Sequence, residues 1–525
     1  MAASQCFAFA LLVSCIAFCH HAPAADGAAP ANQTGDFLGC LAVNLPPGIV
    51  YTHASQSYPS VLESAIKNLR FVTPGTPTPV ALVEATDASH VQGAVRCGAS
   101  YGVHVRSRSG GHDYEGLSYR SVNSTPPFAV VDMGAIREVR VDVRRETAWV
   151  GSGATLGDVY YAIANKSARL GFPGSVGPTV GVGGFLSGGG FGLMLRKHGL
   201  GSDLVLDATI VDAKGRLLDR AAMGEDLFWA IRGGGGGNFG IVVSWKLRLV
   251  RVPATVTVFT IRRSRDQSAT DLLTKWQQVA PSLPSDVFLR VVVQNQVAQF
   301  ESLYLGTRAN LVATMAARFP ELGVNSSNCI EMTWIQSVLY FAFYGTGQPM
   351  ERLLERGTKP DRFFKAKSDY VEESIPRHVW ESNWSWFLKD GAGLLILDPY
   401  GGEMSRIAPA ATPFPHRQAL YNVQYYGFWS ESGAAASDLH MSWIRGLYRE
   451  MEPYVSKNPR GAYVNYRDLD LGVNDDVAGV ASYEKARVWG EAYFKGNFER
   501  LATVKAKVDP DNFFMNEQSI PPLPN

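Results

Sequence analysis

A histidine that directly follows two glycines is the first candidate for chemistry in this chain. It is His112, in the segment RSRSGGHDYEG at residues 106–116. Three roles suit an imidazole in this setting: a buried hydrogen-bonding group, a metal ligand, or a nucleophile toward a group that comes very close to the backbone. A zinc site needs two or more further ligands, and no His, Cys or acidic cluster with metal-ligand spacing accompanies this histidine. The sequence therefore predicts no metal site and leaves the other two roles open.

Three glycine-rich segments accompany the histidine. They are SGG at 109–111, GFPGSVGPTVGVGGFLSGGGFG at 171–192 and RGGGGGNFG at 232–240. Glycine inside a fold costs about 0.5–1 kcal/mol relative to alanine, so clusters of it indicate either turns or backbone N–H groups that line an anion. Because the three clusters fall in one part of the chain, each beside a predicted strand, a nucleotide with a pyrophosphate is favoured. None has the spacing of a dinucleotide fingerprint or a phosphate loop, so neither a Rossmann fold nor a P-loop is predicted.

The order of these motifs resembles the plant berberine bridge enzyme-like family, whose members are flavoproteins of the vanillyl-alcohol oxidase type. The resemblance runs through RSGGHDYEG, FPGSVGPTVGVGGFLSGGGFG and DLFWAIRGGGGGNFGIV to DPYGGEM, NYRDLDLG and NFFMNEQSIPP, so it covers nearly the whole mature chain. The chain is also similar to the grass pollen group 4 allergens. The resemblance implies an α+β fold, with a vanillyl-alcohol oxidase-like (PCMH-type) FAD-binding domain and an α+β substrate domain that contains an antiparallel sheet.

The resemblance assigns His112 the role of a covalent tether, bonded to the 8α carbon of the flavin ring of FAD. A neutral imidazole can attack the electrophilic methylene of a flavin tautomer, and the flanking glycines let the ring approach the backbone. Many relatives form a second bond through a cysteine in F-P-x-x-x-C, but that position is Gly177 here. A single covalent link is therefore predicted, with more space above the flavin. Val180 is a valine where members that use O2 poorly carry a bulkier residue, so an oxidase is expected.

Further FAD contacts are predicted in the glycine-rich segments and in the C-terminal motif. Together with His112 they are expected to enclose the cofactor. They are Arg106, Ser109, Gly110, Gly111, Asp113, Gly174, Ser175, Val176, Gly177, Thr179, Val180, Gly183, Gly184, Gly189, Gly190, Gly192, Gly240, Ile241, Val242 and Asn516.

Three tyrosines and a glutamine are predicted to form the catalytic wall. The resemblance places Tyr114, Tyr463 and Tyr466 in the active site. It puts Gln424 where the alkaloid-cyclising member has a glutamate base, and glutamine cannot accept a proton near neutral pH. Oxidation of an alcohol needs a base for the hydroxyl proton. Tyr466, with its pKa lowered by a nearby Lys or Arg, is the first choice for this base, supported by Tyr114 or Tyr463.

Four further positions modify this wall. Phe185 and Phe191 stand where some relatives have His and Tyr, which makes the wall more apolar. Asn422 replaces a lysine that is present in alcohol-oxidising members, which weakens the case for a lysine-assisted tyrosinate. Asp398, in LDPYGG, is interpreted as the cap of a turn rather than as a group that orients a sugar.

These features predict a secreted FAD-dependent oxidase that transfers hydride from a hydroxyl-bearing small molecule to covalently bound FAD, with reoxidation by O2 to give H2O2. A tyrosine-rich pocket suits the apolar faces of sugars, and the loss of the second tether opens the pocket. The favoured substrate is therefore an oligosaccharide reducing end, oxidised at the anomeric hydroxyl to a lactone. Such a pocket also suits aromatic alcohols, so a monolignol-type alcohol oxidase or dehydrogenase stays open. A third interpretation is a weakly active, flavin-containing secreted protein that acts by binding, as an allergen-like protein would.

The elements that must hold these groups are short β-like runs that alternate with helices in the first half of the chain. Helices are predicted over 61–70, 88–100 and 155–165, and a hairpin over 204–215. Longer strands with many aromatic residues follow. The predicted organisation is a signal peptide (1–25), the N-terminal part of the FAD-binding region (26–74), the PCMH-type FAD-binding domain (75–253), a substrate-binding domain (254–470) and a C-terminal segment that returns to the FAD domain (471–525).

Composition and the N-terminus bound the cellular context. The 525 residues are 46% hydrophobic and 18% charged with a formal net charge of +1, which gives no electrostatic case for nucleic acid or an anionic membrane. An apolar run followed by small residues near Ala24 and Ala25 predicts a cleaved secretory signal, and no later stretch is apolar for long enough to span a membrane. We therefore expect secretion to the cell wall or apoplast, with the vacuole as the alternative. A monomer is expected, whose partners are a small-molecule substrate and O2.

The cysteines and the N-x-S/T triplets agree with secretion. Removal of the signal leaves Cys40, Cys97 and Cys329, of which two can form a disulfide in an oxidising compartment. The resemblance implies that Cys40 pairs with Cys97. Five triplets predict glycosylation sites, at Asn32, Asn123, Asn165, Asn325 and Asn383.

Overall fold

The structure is a computed structural model that describes residues 33–72, 75–122, 126–357, 362–474 and 482–524. The predicted signal peptide and the triplets at Asn32 and Asn123 lie outside the described residues. Within them, helices pack on a mixed sheet and on antiparallel sheets. This arrangement is the predicted α+β fold.

The first half of the chain forms a four-stranded mixed sheet and a five-stranded antiparallel sheet. In the first, β2, β4 and β3 are parallel and β1 is antiparallel to β2. The second has the order β5-β6-β10-β8-β9, while β7 and β11 pair separately. Strands β8 and β9 form a hairpin, but its second strand lies beyond the predicted bounds of 204–215. The strands are β1 (Val50–Thr52), β2 (Ala81–Glu84), β3 (His104–Arg108), β4 (Phe128–Asp132), β5 (Val139–Asp142), β6 (Thr147–Gly151), β7 (Leu170–Gly171), β8 (Val205–Val211), β9 (Leu217–Leu218), β10 (Ile241–Arg248) and β11 (Val250–Arg251).

Capping residues define the helices of this half. The Asp87 side chain accepts a hydrogen bond from Ser89 N at the start of α3, and Gly102 ends that helix in the left-handed conformation. Thr155 and Asp158 form a capping box at the start of α4. The helices are α1 (Gln33–Asn44), α2 (Tyr58–Glu63), α3 (Ala88–Tyr101), α4 (Leu156–Lys166), α5 (Val182–Ser187), α6 (Leu195–His198) and α7 (Arg220–Ile231).

The helix predicted over 61–70 is wrong in its bounds. Helix α2 begins earlier, because Pro59 occupies its first turn, and it ends at Glu63. Asn68 then caps a separate 3-10 turn, Leu69–Phe71, by accepting a hydrogen bond from Arg70 N. The apolar spacing of this segment therefore belongs to two short elements rather than to one helix.

The second half of the chain forms a seven-stranded antiparallel sheet in the order β15-β12-β14-β13-β17-β18-β16. Its strands are β12 (Val256–Ser264), β13 (Val287–Gln294), β14 (Val297–Tyr304), β15 (Cys329–Met332), β16 (Phe363–Val371), β17 (Leu394–Pro399) and β18 (Tyr421–Trp429). The remaining helices are α8 (Ala269–Val279), α9 (Arg308–Arg318), α10 (Trp334–Phe341), α11 (Arg377–Asn383), α12 (Glu403–Arg406), α13 (Ala434–Met451), α14 (Tyr483–Phe494) and α15 (Asn497–Val508).

The seven-stranded sheet is covered on one face by helices α8, α11 and α13. Val291, Leu397 and Val423 on that face share a core with Trp276 of α8, and with further apolar residues of α11 and α13. Successive strand residues point to opposite faces, so the residues between these core positions lie on the other face of the sheet, which these helices do not cover. Helices α14 and α15 pack in the same core as the five-stranded sheet, although they come last in the chain. The predicted domain boundaries themselves stay a prediction.

The disulfide and the triplets can be located on this fold. Cys40 of α1 and Cys97 of α3 form the predicted disulfide, and Cys329 is a buried free thiol. Asn165 and Asn325 are exposed. The prediction of a glycan at Asn383 is wrong for the folded chain, because this side chain is 1% exposed and its Nδ2 lies 3.2 Å from Met451 Sδ.

Among the described residues, no helix is long and apolar enough to cross a membrane.

Candidate active site

A cavity of about 440 Å³ brings the glycine-rich segments and the seven-stranded sheet together. One part of its wall comes from residues 107–118, 175–193 and 236–242. The other part comes from strands β13, β17 and β18 and from the segment 463–467. The cavity therefore contains residues from every predicted cofactor segment except the C-terminal motif, together with all four predicted catalytic residues.

Most of the predicted FAD contacts line this cavity. The segment 109–113 contributes the end of β3 and the turn that carries His112, and the segment 175–192 contributes the loop before α5 and the start of that helix. The predicted cofactor residues on the wall are Ser109, Gly110, Gly111, His112, Asp113, Ser175, Val176, Gly177, Val180, Gly183, Gly184, Gly192, Gly240 and Val242.

Arg106 does not line the cavity, and its role as a cofactor contact stays a prediction. On β3 the side chains alternate between faces, and Ser107 lines the cavity instead. The Arg106 guanidinium donates to the carbonyl oxygens of Leu117 and Arg120 at 3.1 and 2.8 Å, and it pairs with Glu517 at 3.2 Å. Its charge is therefore used inside the protein to hold the loop that follows His112.

Six other predicted cofactor residues also lie behind the wall. Thr179 hydrogen bonds to His112, and Gly190 N donates to Tyr463 Oη at 2.9 Å, so both act on the cavity through a neighbour. Gly190 has a φ of +74°, which favours glycine. The side chain of Ile241 packs in the core of the four-stranded sheet. The remaining three are Gly174, Gly189 and Asn516.

The glycines and serines of the wall fit a large, polar cofactor such as FAD. A Cβ at Gly184 would meet no atom within 4 Å, and at Gly236 and Gly237 the nearest atoms would lie at 3.7 and 3.9 Å. These glycines are not packed against the protein, so they leave room on the cavity side. The buried hydroxyls of Ser118 and Ser152, also on the wall, have no hydrogen-bond partner among the described residues. Buried polar groups require partners, and a cofactor with many polar atoms would provide them.

His112 is held as a neutral imidazole on the cavity wall. Its Nε2 atom hydrogen bonds to Thr179 Oγ1 at 2.9 Å. Burial lowers the pKa of His112 to about 4, and the positive charge of Lys67 acts in the same direction. A neutral imidazole has a lone pair available for bond formation at physiological pH.

Three polar side chains from neighbouring strands reach the cavity from the seven-stranded sheet. They are Arg290 of β13, Asp398 of β17 and Gln424 of β18. Arg290 forms a buried ion pair with Glu301 of β14 at 2.6 Å. Burial raises the pKa of Asp398 to about 6, although the charge of Arg290 opposes this shift. The interpretation of Asp398 as a turn cap is therefore wrong, because it lies within a strand and lines the cavity.

The predicted catalytic residues meet in an aromatic cluster beside these groups. The ring of Tyr466 lies 5.7 Å from that of Tyr114, 5.0 Å from that of Tyr463 and 6.0 Å from that of Phe191. Gln424 Nε2 donates to Tyr114 Oη at 2.8 Å. Phe185 and Phe191 also line the cavity and make this part of its wall apolar, as expected from the sequence.

The pKa of Tyr466 is not lowered in the way that the sequence predicted. Burial raises the pKa of Tyr466 well above its usual value, and the negative charge of Asp398 adds to the shift. Burial likewise raises the pKa of Tyr114 to about 12, against the hydrogen bond from Gln424. The tyrosines are therefore protonated at neutral pH, and Asp398 is the better proton acceptor in the cavity.

A buried ionic network lies next to Tyr114 and Tyr466. Glu115 follows Tyr114 in the chain, and it pairs with Lys365 of β16. Lys365 also pairs with Asp468 at 2.7 Å, and Lys367 binds the second oxygen of this carboxylate at 2.5 Å. Burial alone would lower the pKa of Lys365, but Asp468 and Glu115 outweigh it and raise that pKa. Three chain segments are thus tied together directly behind the aromatic cluster.

Two arginines and several small residues of the cavity wall were not predicted from the sequence. Arg290 interrupts the apolar strand VFLRVVVQ, and Arg467 lies within the motif NYRDLDLG. The charged residue inside each of these patterns is the sequence feature that could have identified both arginines. Arg467 is 8% exposed and lies 3.8 Å from Asp113. The small residues that were missed are Ser107, Ser118, Ser152, Gly181, Ser187, Gly236 and Gly237.

Two protein-family models match the chain. One, described as "FAD binding domain", matches residues 79–220, and the other, described as "Berberine and berberine like", matches residues 462–521. Among curated relatives, "Berberine bridge enzyme-like Cyn d 4" of Cynodon dactylon is 54% identical over 525 residues, which is 100% of both chains. "Monolignol oxidoreductase AtBBE-like 13" of Arabidopsis thaliana is 47% identical, over 93% of both chains.

Solved structures with this fold include the pollen allergen Phl p 4. The wild-type protein, described as a glucose dehydrogenase, is 50% identical with a TM-score of 0.91. A variant in which valine replaces an isoleucine, described as a glucose oxidase, is 51% identical with the same TM-score. Both comparisons cover 93% of this chain and 100% of the other.

Proposed function

Because the chain belongs to the berberine bridge enzyme-like family and is an FAD-linked oxidoreductase, we propose that it oxidises the reducing end of an oligosaccharide to a lactone. FAD, when bound, supplies the hydride acceptor, and O2 then takes the electrons to give H2O2. One observation carries the proposal: a single cavity joins a glycine-lined wall that bears His112 to a sheet that presents Arg290, Asp398 and Gln424. The first wall fits a dinucleotide, and the second fits a ring with many hydroxyl groups.

His112 holds the cofactor by a covalent bond from its imidazole to the 8α carbon of the flavin. Its lowered pKa supports this role, because the imidazole is neutral at physiological pH. Its Nε2 atom is engaged by Thr179 Oγ1 at 2.9 Å, so Nδ1 is the ring atom that would bond to the flavin. Gly177 also lines the cavity but offers no thiol, so this bond is the single covalent link.

Asp398 acts as the base that removes the proton of the anomeric hydroxyl. Its carboxylate is ionised above a pKa of about 6, whereas the nearby tyrosines stay protonated. Arg290 lies close enough to influence this carboxylate, and Gln424 is oriented by its hydrogen bond to Tyr114. These two residues bind hydroxyl groups of the same ring and hold its C1 atom toward the flavin.

A sugar is favoured over an aromatic alcohol by the polarity of the sheet side of the cavity. Arg290 is already paired with Glu301, but an aryl ring would offer no hydrogen bond to the buried carboxylate of Asp398, and leaving a buried charge without a hydrogen-bond partner is costly. The hydroxyl groups of a pyranose can hydrogen bond to this carboxylate. The glucose-oxidising activities described for Phl p 4, at 50% and 51% identity, point to the same class of substrate.

Val180 supports the use of O2 as the electron acceptor. It lines the cavity and is half-buried, and its small side chain leaves space beside the flavin ring. The two Phl p 4 proteins are described as a dehydrogenase with isoleucine and an oxidase with valine at one position. A valine on the wall of this cavity therefore favours an oxidase.

The test is to mix the purified holoprotein with cellobiose and, separately, with coniferyl alcohol in the absence of air, while the flavin absorbance is followed. We expect cellobiose to bleach the flavin, and H2O2 to appear when air is admitted. Bleaching by coniferyl alcohol alone would point to a monolignol-type oxidase. Turnover with a dye but not with air would identify a dehydrogenase, and no bleaching by a wide panel of sugars and alcohols would leave a protein that acts by binding.

The site of action is outside the cytosol, in the cell wall or apoplast. The disulfide between Cys40 and Cys97 supports this, because disulfides persist in oxidising compartments. The exposed triplets at Asn165 and Asn325 are available for glycans. A monomer is sufficient for the proposed chemistry, since one chain supplies every wall of the cavity.

A further inference from the structure

The seven-stranded sheet carries half-buried apolar side chains that the proposed chemistry does not use. On the face that lines the cavity, β18 continues from Gln424 to Tyr426 and Phe428, because alternate residues of a strand share one face. The register pairs Tyr426 with Leu394 of β17, and Phe428 with Phe364 of β16. These four residues are half-buried and form one surface, which we call the aromatic platform.

The aromatic platform is continuous with the cavity. The ring of Tyr114, on the cavity wall, lies 5.5 Å from that of Phe364 and 6.3 Å from that of Tyr426, and both contacts are edge-to-face. Gln424 and Ile396 are neighbours at the edge of the cavity. The next residues on this face of their strands are Tyr426 and Leu394, about 6.6 Å further along. A ligand that extends beyond the cavity along these strands therefore reaches the platform.

We infer that the aromatic platform binds the second pyranose ring of an oligosaccharide whose reducing end occupies the cavity. This inference rests on the proposed oxidation of a reducing end. The cavity of about 440 Å³ has to take a flavin ring as well as the ring that is oxidised, so the rest of a longer donor must leave along the sheet.

The chemistry of the platform suits this occupant. The C–H groups of a pyranose give it apolar faces, and packing one face on Tyr426 and Leu394 removes apolar area from water. Tyr426 and Phe428 have ring centres 5.6 Å apart and planes inclined by 30°, so they form one continuous aromatic surface. The expected donor is an oligosaccharide of two or more rings in preference to free glucose.

The experiment compares cellobiose with glucose in the holoprotein. The second-order rate constant of anaerobic flavin reduction is measured for both sugars, and the ratio of the two constants is the readout. Binding of each sugar is measured in parallel by titration calorimetry, which does not depend on turnover. The variants are Tyr426→Ala, which removes the ring, and Tyr426→Phe, which keeps it. The matched control is Phe363→Ala, since Phe363 is also half-buried on β16 but stacks on Trp429 on the opposite face of the sheet.

We expect cellobiose to be preferred over glucose by about tenfold in the wild type, which corresponds to about 1.4 kcal/mol. Tyr426→Ala should bring the ratio close to one, while Tyr426→Phe and Phe363→Ala should preserve it. Oxidation of both sugars with no preference, or a preference that survives Tyr426→Ala, would overturn the platform and leave the proposed function standing. If neither sugar reduces the flavin but cellobiose binds in a Tyr426-dependent manner, the platform stands and the proposed function fails. If neither sugar reduces the flavin and neither sugar binds, both the aromatic platform and the proposed function are overturned.

Discussion

At the scale of single residues, burial has opposite consequences for the two side chains that the proposed reaction uses most. Removing a charged group from water disfavours its charged form. For His112 this lowers the pKa to about 4 and keeps the imidazole nucleophilic. For Asp398 it raises the pKa to about 6 and makes the carboxylate a stronger base than an exposed one. The same cavity thus prepares one residue to hold the cofactor and another to accept a proton.

Replacement of His112 is expected to remove all covalently bound flavin. Since Gly177 supplies no thiol, His112→Ala leaves the cofactor with no covalent bond to the protein. After acid precipitation the wild-type pellet should be yellow, and the His112→Ala pellet should be colourless with the flavin in the supernatant. Ser118→Ala, on the same wall, is the matched control and should keep a yellow pellet. A yellow pellet from the histidine variant would contradict a single link.

The pH dependence of flavin reduction is expected to report Asp398. Its pKa is raised to about 6, so the basic form is present above that pH and is lost as the pH falls through it. The wild-type rate should therefore fall about tenfold per pH unit below pH 6. Asp398→Asn should remove this acid limb of the pH profile, which is the fall in rate below pH 6. It should also slow flavin reduction by about 10²–10⁴-fold, the usual contribution of a general base.

Tyr466→Phe distinguishes the aspartate from the tyrosine that the sequence favoured. If Asp398 is the base, the limb near pH 6 should persist in this variant. A limb that disappears with Tyr466→Phe and survives Asp398→Asn would return the role to the tyrosine.

At the scale of elements, the ionic network behind the aromatic cluster joins the loop after His112, strand β16 and the segment that follows Tyr466. Glu115, Lys365 and Asp468 are each at most 4% exposed. A buried ion pair is weak as a source of stability, but removing one partner leaves the other charge buried and uncompensated. The main effect of the network is therefore to fix the relative positions of the segments that carry Tyr114 and Tyr466, and so to keep these two rings in contact.

Lys365→Met is expected to be strongly destabilising. It leaves Glu115 and Asp468 with less compensating charge, and breaking a buried pair costs about 3–5 kcal/mol. The midpoint of thermal unfolding measures the effect. Arg445→Met is the matched control, because the side chain of Arg445 is 49% exposed and its pair with Asp470 should contribute about 1 kcal/mol or less. Equal losses in the two variants would contradict the role of the buried network.

At the scale of the whole molecule, the candidate site exists only where the glycine-rich segments meet the seven-stranded sheet. The glycine-rich segments belong to the first half of the chain, and the polar groups opposite them come from strands of the second half. Helices α14 and α15 return to the core of the five-stranded sheet, and Lys505 of α15 donates to Asn238 O at 2.7 Å at the end of the third glycine-rich segment. The C-terminal part of the chain therefore helps to fix the cofactor wall that the N-terminal half provides.

The α+β fold and the cofactor wall could be predicted because their signals are local in sequence. A glycine that lets two segments approach is recognisable in its own motif: a Cβ at Gly110 would lie 2.4 Å from Gly181 N. The pairing of Cys40 with Cys97 was implied only by the resemblance to the family, because the sequence alone leaves three possible pairings among Cys40, Cys97 and Cys329. Arg106 belongs to such a motif but does not line the cavity, because alternation along β3 decides which face a side chain takes.

The sequence by itself, through its resemblance to the family, determined the class of cofactor and predicted a tether at His112 and a set of aromatic residues that line the cavity. Only the tertiary structure decided which of them work together. Arg290 and Asp398 are 108 positions apart, and their proximity depends on the register of β13 against β17. The pKa of Asp398 depends on burial, which no local pattern specifies, and so does the inaccessibility of Asn383. Strand pairing and desolvation depend on residues that are far apart in the sequence. For this reason Asp398 was interpreted as a turn cap from the sequence and is the candidate base in the structure.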